Sequence, residues 1–363
     1  MGITLKPLRD QVIVVTGGTS GNGLATVEEA MRRGAAVVAT ARNTAALEAL
    51  RDRLSAAGGR IAICVADVSD MAPVERVSAV AIEAFGGFDS WVNNAGTGIY
   101  GTLEQVPVAD HRRVFDVNYF GVLHGSLVAA RHLRGRGGAI INVGSILSDR
   151  AIVEQGPYCA TKHAVQALTD TLRMELEQEG ASISVTLIKP GAIDTPFPEH
   201  ARNFMDQPPR LPPPLYAPSV VADAVLFACA TPRRTLYAGG GGLLSSLLAR
   251  AAPRPSDIVM ELVGAAAQQK PEDPGDPARR DNLYAPRVDA DHHIGGAQMQ
   301  RERRQDHPRR QRRSATGKRG FDDQQRQSTL TLLFAEVVYR IEHRHSRDGG
   351  PANTNTGACT AML

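Results

Sequence analysis

The sequence predicts a doubly wound α/β fold, one domain built on a parallel sheet with helices on both faces. Short apolar runs alternate with stretches of helical spacing over most of the first 240 positions. The runs are nearly continuous in hydrophobicity, as strands are when both faces of a parallel sheet are covered. Turn residues punctuate the alternation, and repeated β-then-α order is the pattern of crossover units feeding one sheet.

Taken in order, residues 11–18, QVIVVTGG, are β-branched and end in glycines, which predicts a strand. Residues 23–34, GLATVEEAMRRG, have helical spacing and a glycine stop, and 35–41, AAVVATA, return to strand. A second helix over 44–59 is followed by a third strand at 60–68, RIAICVADV, and a fourth at 89–96, DSWVNNAG. Residues 138–145 and 182–191 supply two more strands, with long helical patterns between them. The proline-rich segment 195–218 cannot be one regular element. So long an insertion in a compact domain predicts an active-site lid, drawn here at 196–218. A helix over 219–230 and a last strand over 235–240 complete the domain, bounded at 1–265. Residues 266–363 read as an irregular, partly Arg-rich extension, loose in composition. No internal repeat is present.

Composition narrows the function classes. The chain has 363 residues, 42% hydrophobic and 22% charged, a globular balance able to build a core. The net charge of +3 is unevenly placed: residues 301–320 hold nine Lys/Arg against two acidic residues, which leaves the remainder slightly acidic. Nucleic acid is therefore not an expected partner of the first 290 residues. The four cysteines lack CxxC or metal-ligand spacing and read as free thiols, with no metal site. The first ten residues lack a signal-peptide apolar run, and no stretch approaches the ~20 apolar residues of a membrane span. These features predict a soluble, cytoplasmic protein.

Two motifs carry chemistry by themselves. TGGTSGNG (16–23) puts Gly17, Gly21 and Gly23 at a strand-to-helix corner. A dinucleotide's pyrophosphate needs close backbone approach and N–H groups at a helix start, and glycines there permit both. The acidic residue that commonly holds the adenosine ribose of NAD about 20 positions further on is missing. Arg42 stands nineteen positions beyond Gly23 instead. A guanidinium there suits a 2′-phosphate, with Thr19 and Ser20 as added hydroxyl donors, or else is a solvated loop arginine. NADP(H) is the preferred reading and NAD(H) the alternative. In the second motif, GPYCATKHAV (156–165), Tyr158 and Lys162 share one helix face. Alone, that short and degenerate pair reads as a tyrosine packed over a lysine stem.

Together the motifs resemble the classical short-chain dehydrogenases/reductases over about residues 8–265. The resemblance rests on TGGTSGNG, Asp67 in ADV, NNAG (93–96), Asn118 in DVNYFG, Ser145 in NVGS, YCATK (158–162) and KPGAIDT (189–195), in that order. It implies a Rossmann-type sheet, a homodimer or homotetramer, and hydride transfer between a nicotinamide cofactor and a carbonyl/alcohol pair. It also implies roles: Tyr158 as general acid/base, Ser145 holding the substrate carbonyl, Lys162 binding the nicotinamide ribose, and Asn118 holding a water that links Lys162 to solvent. The chemistry is consistent, because a phenol with pKa about 10 exchanges protons poorly near neutrality and a neighbouring ammonium lowers that value. The same resemblance sets Asp67 and Val68 against the adenine and Asn94, Ala95 and Gly96 along the adenosine side. Pro190, Gly191, Ile193 and Thr195 are set against the nicotinamide carboxamide and phosphates. Asn22 departs from the family pattern, which usually has isoleucine between the last two glycines.

The lid's Phe197, Phe204, Met205, Leu215 and Tyr216, with the stretch 238–253, are candidate substrate contacts and favour an apolar alcohol or ketone. Two rivals stand beside the enzyme: a non-catalytic NADP(H)-binding sensor or scaffold, and a nucleic-acid-associated protein led by the basic stretch 301–320.

Overall fold

The structure is a computed structural model that describes residues 3–270 and 280–287. The basic stretch 301–320 and an apolar stretch at 329–344 lie outside the described residues.

Seven parallel strands form the central sheet: β1 (Val12–Thr16), β2 (Ala36–Ala41), β3 (Ile61–Val65), β4 (Ser90–Asn93), β6 (Gly138–Val143), β7 (Ile183–Pro190) and β9 (Thr235–Ala238). A two-residue pair, β5 (Ile99–Tyr100) with β8 (Arg202–Asn203), lies outside it. The strand order is β3-β2-β1-β4-β6-β7-β9. Chain direction across the sheet therefore reverses between β1 and β4, where Val14 stands between Val38 and Trp91. Open α/β sheets bind ligands beyond the carboxyl ends of the strands at such a switch point. The doubly wound fold class read from the sequence holds, and each of the seven main strands falls inside its expected range.

Alternation along the strands divides the core. Ile13, Val15, Val37 and Ala39 face a layer formed by α1 (Gly21–Arg32), α2 (Thr44–Ala56) and α8 (Pro218–Ala230). Val14, Val38, Trp91 and Ile140 face the opposite layer, formed by α3 (Met71–Phe85), α5 (Gly121–Leu133) and α6 (Gly156–Gln178). A period of two puts neighbouring strand residues on opposite faces, so each run supplies both cores. Between β4 and β6 a buried polar network replaces apolar contact. Trp91 Nε1 donates to Asn93 Oδ1 at 2.8 Å, Asn93 donates to Asn142 at 2.8 Å, and Asn142 donates to Thr169 at 3.0 Å. Fully satisfied networks of this kind fix one register.

The lid is not a single excursion. It holds α7 (Phe197–His200) and β8, and Arg210 N–H donates to Gln268 O at 2.8 Å. That bond ties the lid to the end of α10 (Pro253–Ala267), which follows α9 (Gly240–Ala251). The remaining helix, α4 (Val108–Phe115), runs into a π-helical turn at Asp116–Phe120. Residues 280–287, which composition alone would leave loose, are seated on the domain. Leu283 is fully buried in a cluster with Ile99, Val106 and Val114.

Candidate active site

The carboxyl ends of β1, β2, β4, β6 and β7 open into one cavity of about 460 Å³. Its size is in the range of small-molecule and cofactor sites. The glycine turn forms one end. Gly17 (φ +68°) and Gly21 (φ +50°) sit in the left-handed region that favours glycine. A Cβ on Gly23 would stand 2.0 Å from the Gly17 carbonyl oxygen. The turn is held from β4, since Asn94 Nδ2 donates to Thr16 O at 2.9 Å and to Gly17 O at 3.3 Å. Ser20 begins α1 without a side-chain cap, so no side chain competes for the helix's first N–H groups. Thr195 closes over this start, its Cβ 3.3 Å from where a Gly21 Cβ would lie.

Gly17, Thr19, Ser20, Gly21 and Asn22 line the cavity, as do Arg42, Asp67, Val68, Asn94, Ala95, Gly96, Pro190, Gly191, Ile193 and Thr195. Gly23 supports the turn from behind. Two buried atoms on the lining residues, Asn22 Oδ1 and Thr40 Oγ1, have no hydrogen-bond partner among the described residues. Leaving such atoms unpaired costs about 1–3 kcal/mol each, which a polar ligand group would relieve. The uncapped helix start, the glycine cradle and these atoms suit a dinucleotide.

The other half of the cavity gathers the titratable groups. The Tyr158 phenol and the Ser145 side chain both line it. Ser145 starts a short 3-10 turn, its Oγ accepting from Leu147 N–H at 3.1 Å. Behind it, Lys189 and Asp149 form an ion pair at 2.7 Å with both side chains buried, and Tyr237 donates to the same carboxylate at 3.1 Å. This pins the loop after β6 to β7 and β9. Lys162, one turn beyond Tyr158, is 4% exposed. Its Nζ donates to Val143 O at 2.9 Å and lies 5.5 Å from the Tyr158 ring centre. Burial pulls the Lys162 ammonium down to about 8. Burial also pushes the Tyr158 phenol up, against the lowering effect of the Ser145 hydroxyl.

Asn118 sits in the π-helical turn and is fully buried, behind the cavity wall. Its Oδ1 accepts from Thr97 N–H at 2.8 Å, and its Nδ2 donates to Thr97 O at 2.9 Å and Thr161 Oγ1 at 3.1 Å. Its side chain is thus engaged by protein groups through both Oδ1 and Nδ2. Cys159 packs as a small core residue, its thiol pushed up to about 11 by burial.

The structure departs from the sequence reading at the substrate wall. Phe197 and Tyr216 line the cavity, and Phe197 meets the Tyr158 ring with centres 5.3 Å apart. Phe204 instead packs beside Leu283, Leu215 is exposed, and neither Leu215 nor Met205 lines the cavity. Gly241 is the one cavity-lining residue among the described side chains of 238–253. The far wall comes from α10, through Met260, Val263, Gly264 and Ala267. Their i, i+3, i+4, i+7 spacing marks a single helix face, the sequence signal that could have found them. Arg42 lines the opposite end, where Nη1 donates to Tyr284 O at 3.2 Å and Nη2 donates to Asn282 O. Asp67 lies near it and is held by Arg113 at 2.7 Å. Burial opposes ionisation of Asp67, but hydrogen bonds from Ser69 and Arg113 outweigh it and hold its pKa below the usual carboxylate value.

A parallel sheet with this switch point, this glycine turn and this Ser/Tyr/Lys grouping defines an oxidoreductase class, and the comparisons agree. Residues 11–206 match the short chain dehydrogenase family model. The chain is 44% identical over 285 residues to the uncharacterized oxidoreductase YxnA of Bacillus subtilis, spanning 78% of this chain and 80% of that protein. It is 36% identical over 203 residues to 3beta-hydroxysteroid dehydrogenase 1 of Eggerthella lenta, spanning 55% and 76% of the two chains. A short chain dehydrogenase/reductase of Burkholderia phymatum, solved in complex with NAD, superposes with a TM-score of 0.62 at 28% identity, covering 75% of this chain and all of that one. The chain belongs to the short-chain dehydrogenase/reductase family, oxidoreductases acting on CH–OH and C=O groups. Among the described residues, no helix is long and apolar enough to cross a membrane.

Proposed function

We propose that this oxidoreductase transfers hydride between NADP(H) and a carbonyl/alcohol pair on an apolar substrate, with Ser145, Tyr158, Lys162 and Asn118 as its catalytic set. The carrying observation is that Tyr158, Ser145 and Lys162 share one cavity with the glycine turn. When bound, the nicotinamide supplies hydride to the carbonyl carbon or accepts it in the reverse reaction. Tyr158 donates its proton to the substrate oxygen, Ser145 fixes that oxygen by a hydrogen bond, and the Lys162 ammonium stabilises the phenolate left behind. Asn118 keeps the Thr97 loop and α6 in register beneath them.

Arg42, with no acidic residue next to it in the sequence, supports NADP(H) ahead of NAD(H), and Asp67, 3.9 Å from its Nη1 in the fold, is itself held by Arg113. Leu147, Ile152, Phe197, Tyr216 and the α10 face support an apolar alcohol or ketone, and the hydroxysteroid in the name of the Eggerthella lenta relative agrees with a ring-sized one. In this reading the catalytic domain extends beyond residue 265, because α10 walls the substrate end.

The test is a calorimetric titration with NADPH and, separately, NADH, paired with a carbonyl-reduction assay. Calorimetry suits the protein better than Trp91 emission, because that ring is fully buried against Phe88, away from the cavity lining. Tyr158→Phe is expected to bind cofactor as the parent does and to lose about 10²-fold or more in turnover. Retained turnover would overturn the acid/base assignment. Arg42→Asp is expected to move preference towards NADH, and an unchanged preference would overturn the NADP(H) reading.

A further inference from the structure

The segment 280–287 lies along the cavity, with Asn282, Pro286 and Arg287 among the lining residues. Several anchors seat it, among them an Arg202–Asp281 ion pair at 3.5 Å and an Arg287 hydrogen bond to Glu199 O at 2.7 Å. Leu283 is fully buried beside Phe204 and Val114. The Asn282 N–H donates to His200 O at 2.9 Å, and its Oδ1 accepts from Thr97 Oγ1 at 3.1 Å. Arg113 Nε donates to Leu283 O at 3.1 Å while its Nη2 holds Asp67 at 2.7 Å. The Tyr284 hydroxyl donates to Asp110 at 2.8 Å.

The segment's main chain takes the guanidinium assigned above to the cofactor. Arg42 presents both terminal nitrogens to it, Nη1 to Tyr284 O and Nη2 to Asn282 O, with the Asp67 carboxylate 3.9 Å from Nη1. A 2′-phosphate recognised in bidentate fashion needs two parallel N–H donors from one guanidinium. Two neutral carbonyls are the weaker acceptors of the two sets, since a phosphate adds the attraction of its own charge to the guanidinium. A cofactor without that phosphate makes no demand on Arg42.

We propose that residues 280–287 form a selectivity strap that competes with the 2′-phosphate of NADP(H) for Arg42, and leaves NAD(H) binding untouched. The proposal rests on the NADP(H) reading of Arg42 above. NADP(H) binding then releases the Asn282 and Tyr284 carbonyls from Arg42 and loosens the strap. The strap thereby sets how far phosphate-bearing cofactor is preferred.

The test uses the full chain with Leu283→Ser, which removes the apolar anchor, and Tyr284→Phe, which removes the bond to Asp110. Circular dichroism and a thermal melt identify the variants that keep the fold. In folded variants NADPH is expected to bind about tenfold more tightly with Leu283→Ser and NADH within twofold of the parent. Tyr284→Phe is expected to move the NADPH/NADH ratio in the same direction by less. Hydrogen exchange on the unmodified chain reads the same event: NADPH is expected to speed exchange at Asn282 and Leu283, and NADH to leave it unchanged. An NADPH/NADH ratio that Leu283→Ser leaves unchanged, or strap amides that NADPH protects, would overturn the strap alone, provided Arg42→Asp still shifts preference. If Arg42→Asp shifts nothing, or neither cofactor binds, the cofactor reading and the strap fail together.

Discussion

Burial moves Tyr158 and Lys162 in opposite directions on the pH scale, and both shifts favour the neutral group. The phenol is pushed up and the ammonium down to about 8, each because the charged form has lost water. The sign for stability follows from proton counting. Below about 8 Lys162 is protonated folded and unfolded, so the full cost of a buried ammonium is present. Between about 8 and the ordinary lysine value the unfolded chain binds more protons, so this group's contribution to stability rises with pH. In the proposed mechanism the same titration removes the charge that stabilises the phenolate. We expect kcat/KM for carbonyl reduction to fall as pH rises through about 8. Lys162→Arg, whose guanidinium stays charged, is expected to lose that limb while lowering kcat. A limb that persists at the same pH in the arginine variant would assign it to another group.

At the scale of elements, the corner from β1 into α1 depends on missing side chains. Gly23 has no room for a Cβ because the Gly17 carbonyl oxygen would stand 2.0 Å away, and backbone cannot yield as a side-chain tip can. Gly23→Ala is expected to destabilise the fold by about 1–3 kcal/mol, the usual cost of overpacking. It should also weaken both dinucleotides at least tenfold, read by a thermal melt and by titration. A melt shift without loss of binding would show that the turn re-forms around the methyl group. The Lys189–Asp149 pair has a related supporting part. Sealed from water between β7 and the loop after β6, it fixes where Ser145 emerges.

For the whole molecule, the cavity is assembled from parts distant in the chain. The glycine turn and the Tyr158 helix come from the sheet domain, the lid's Phe197 and Tyr216 from one insertion, and the far wall from α10. In the proposed reading, Met260 on that wall limits how large an apolar group fits. Met260→Trp is expected to raise KM for a bulky ring ketone by about tenfold or more and to leave a small aliphatic ketone within twofold. The comparison of the two KM values checks it. Equal changes for both would mean that the helix had moved as a unit.

The sequence by itself determined the sheet. Strand burial on both faces leaves a continuous apolar signature, and glycines at a strand end mark the phosphate corner without knowledge of neighbours. It also put Tyr158, Lys162 and Ser145 forward as candidates, because their spacing is local and their order along the chain matches a family pattern, and the fold gathers all three in one cavity. Tertiary structure alone decided the rest. Phe204 turned away from the cavity because Leu283, about eighty positions later, completes a core with it, and α10 entered the substrate wall because the lid's Arg210 ties to its end. Arg42 shows the difference most plainly. Its position beyond the glycine turn is legible in sequence, but its hydrogen bonds to Asn282 and Tyr284 link residues some 240 positions apart. Local patterns carry no record of such pairings, which exist once the chain has folded back on itself.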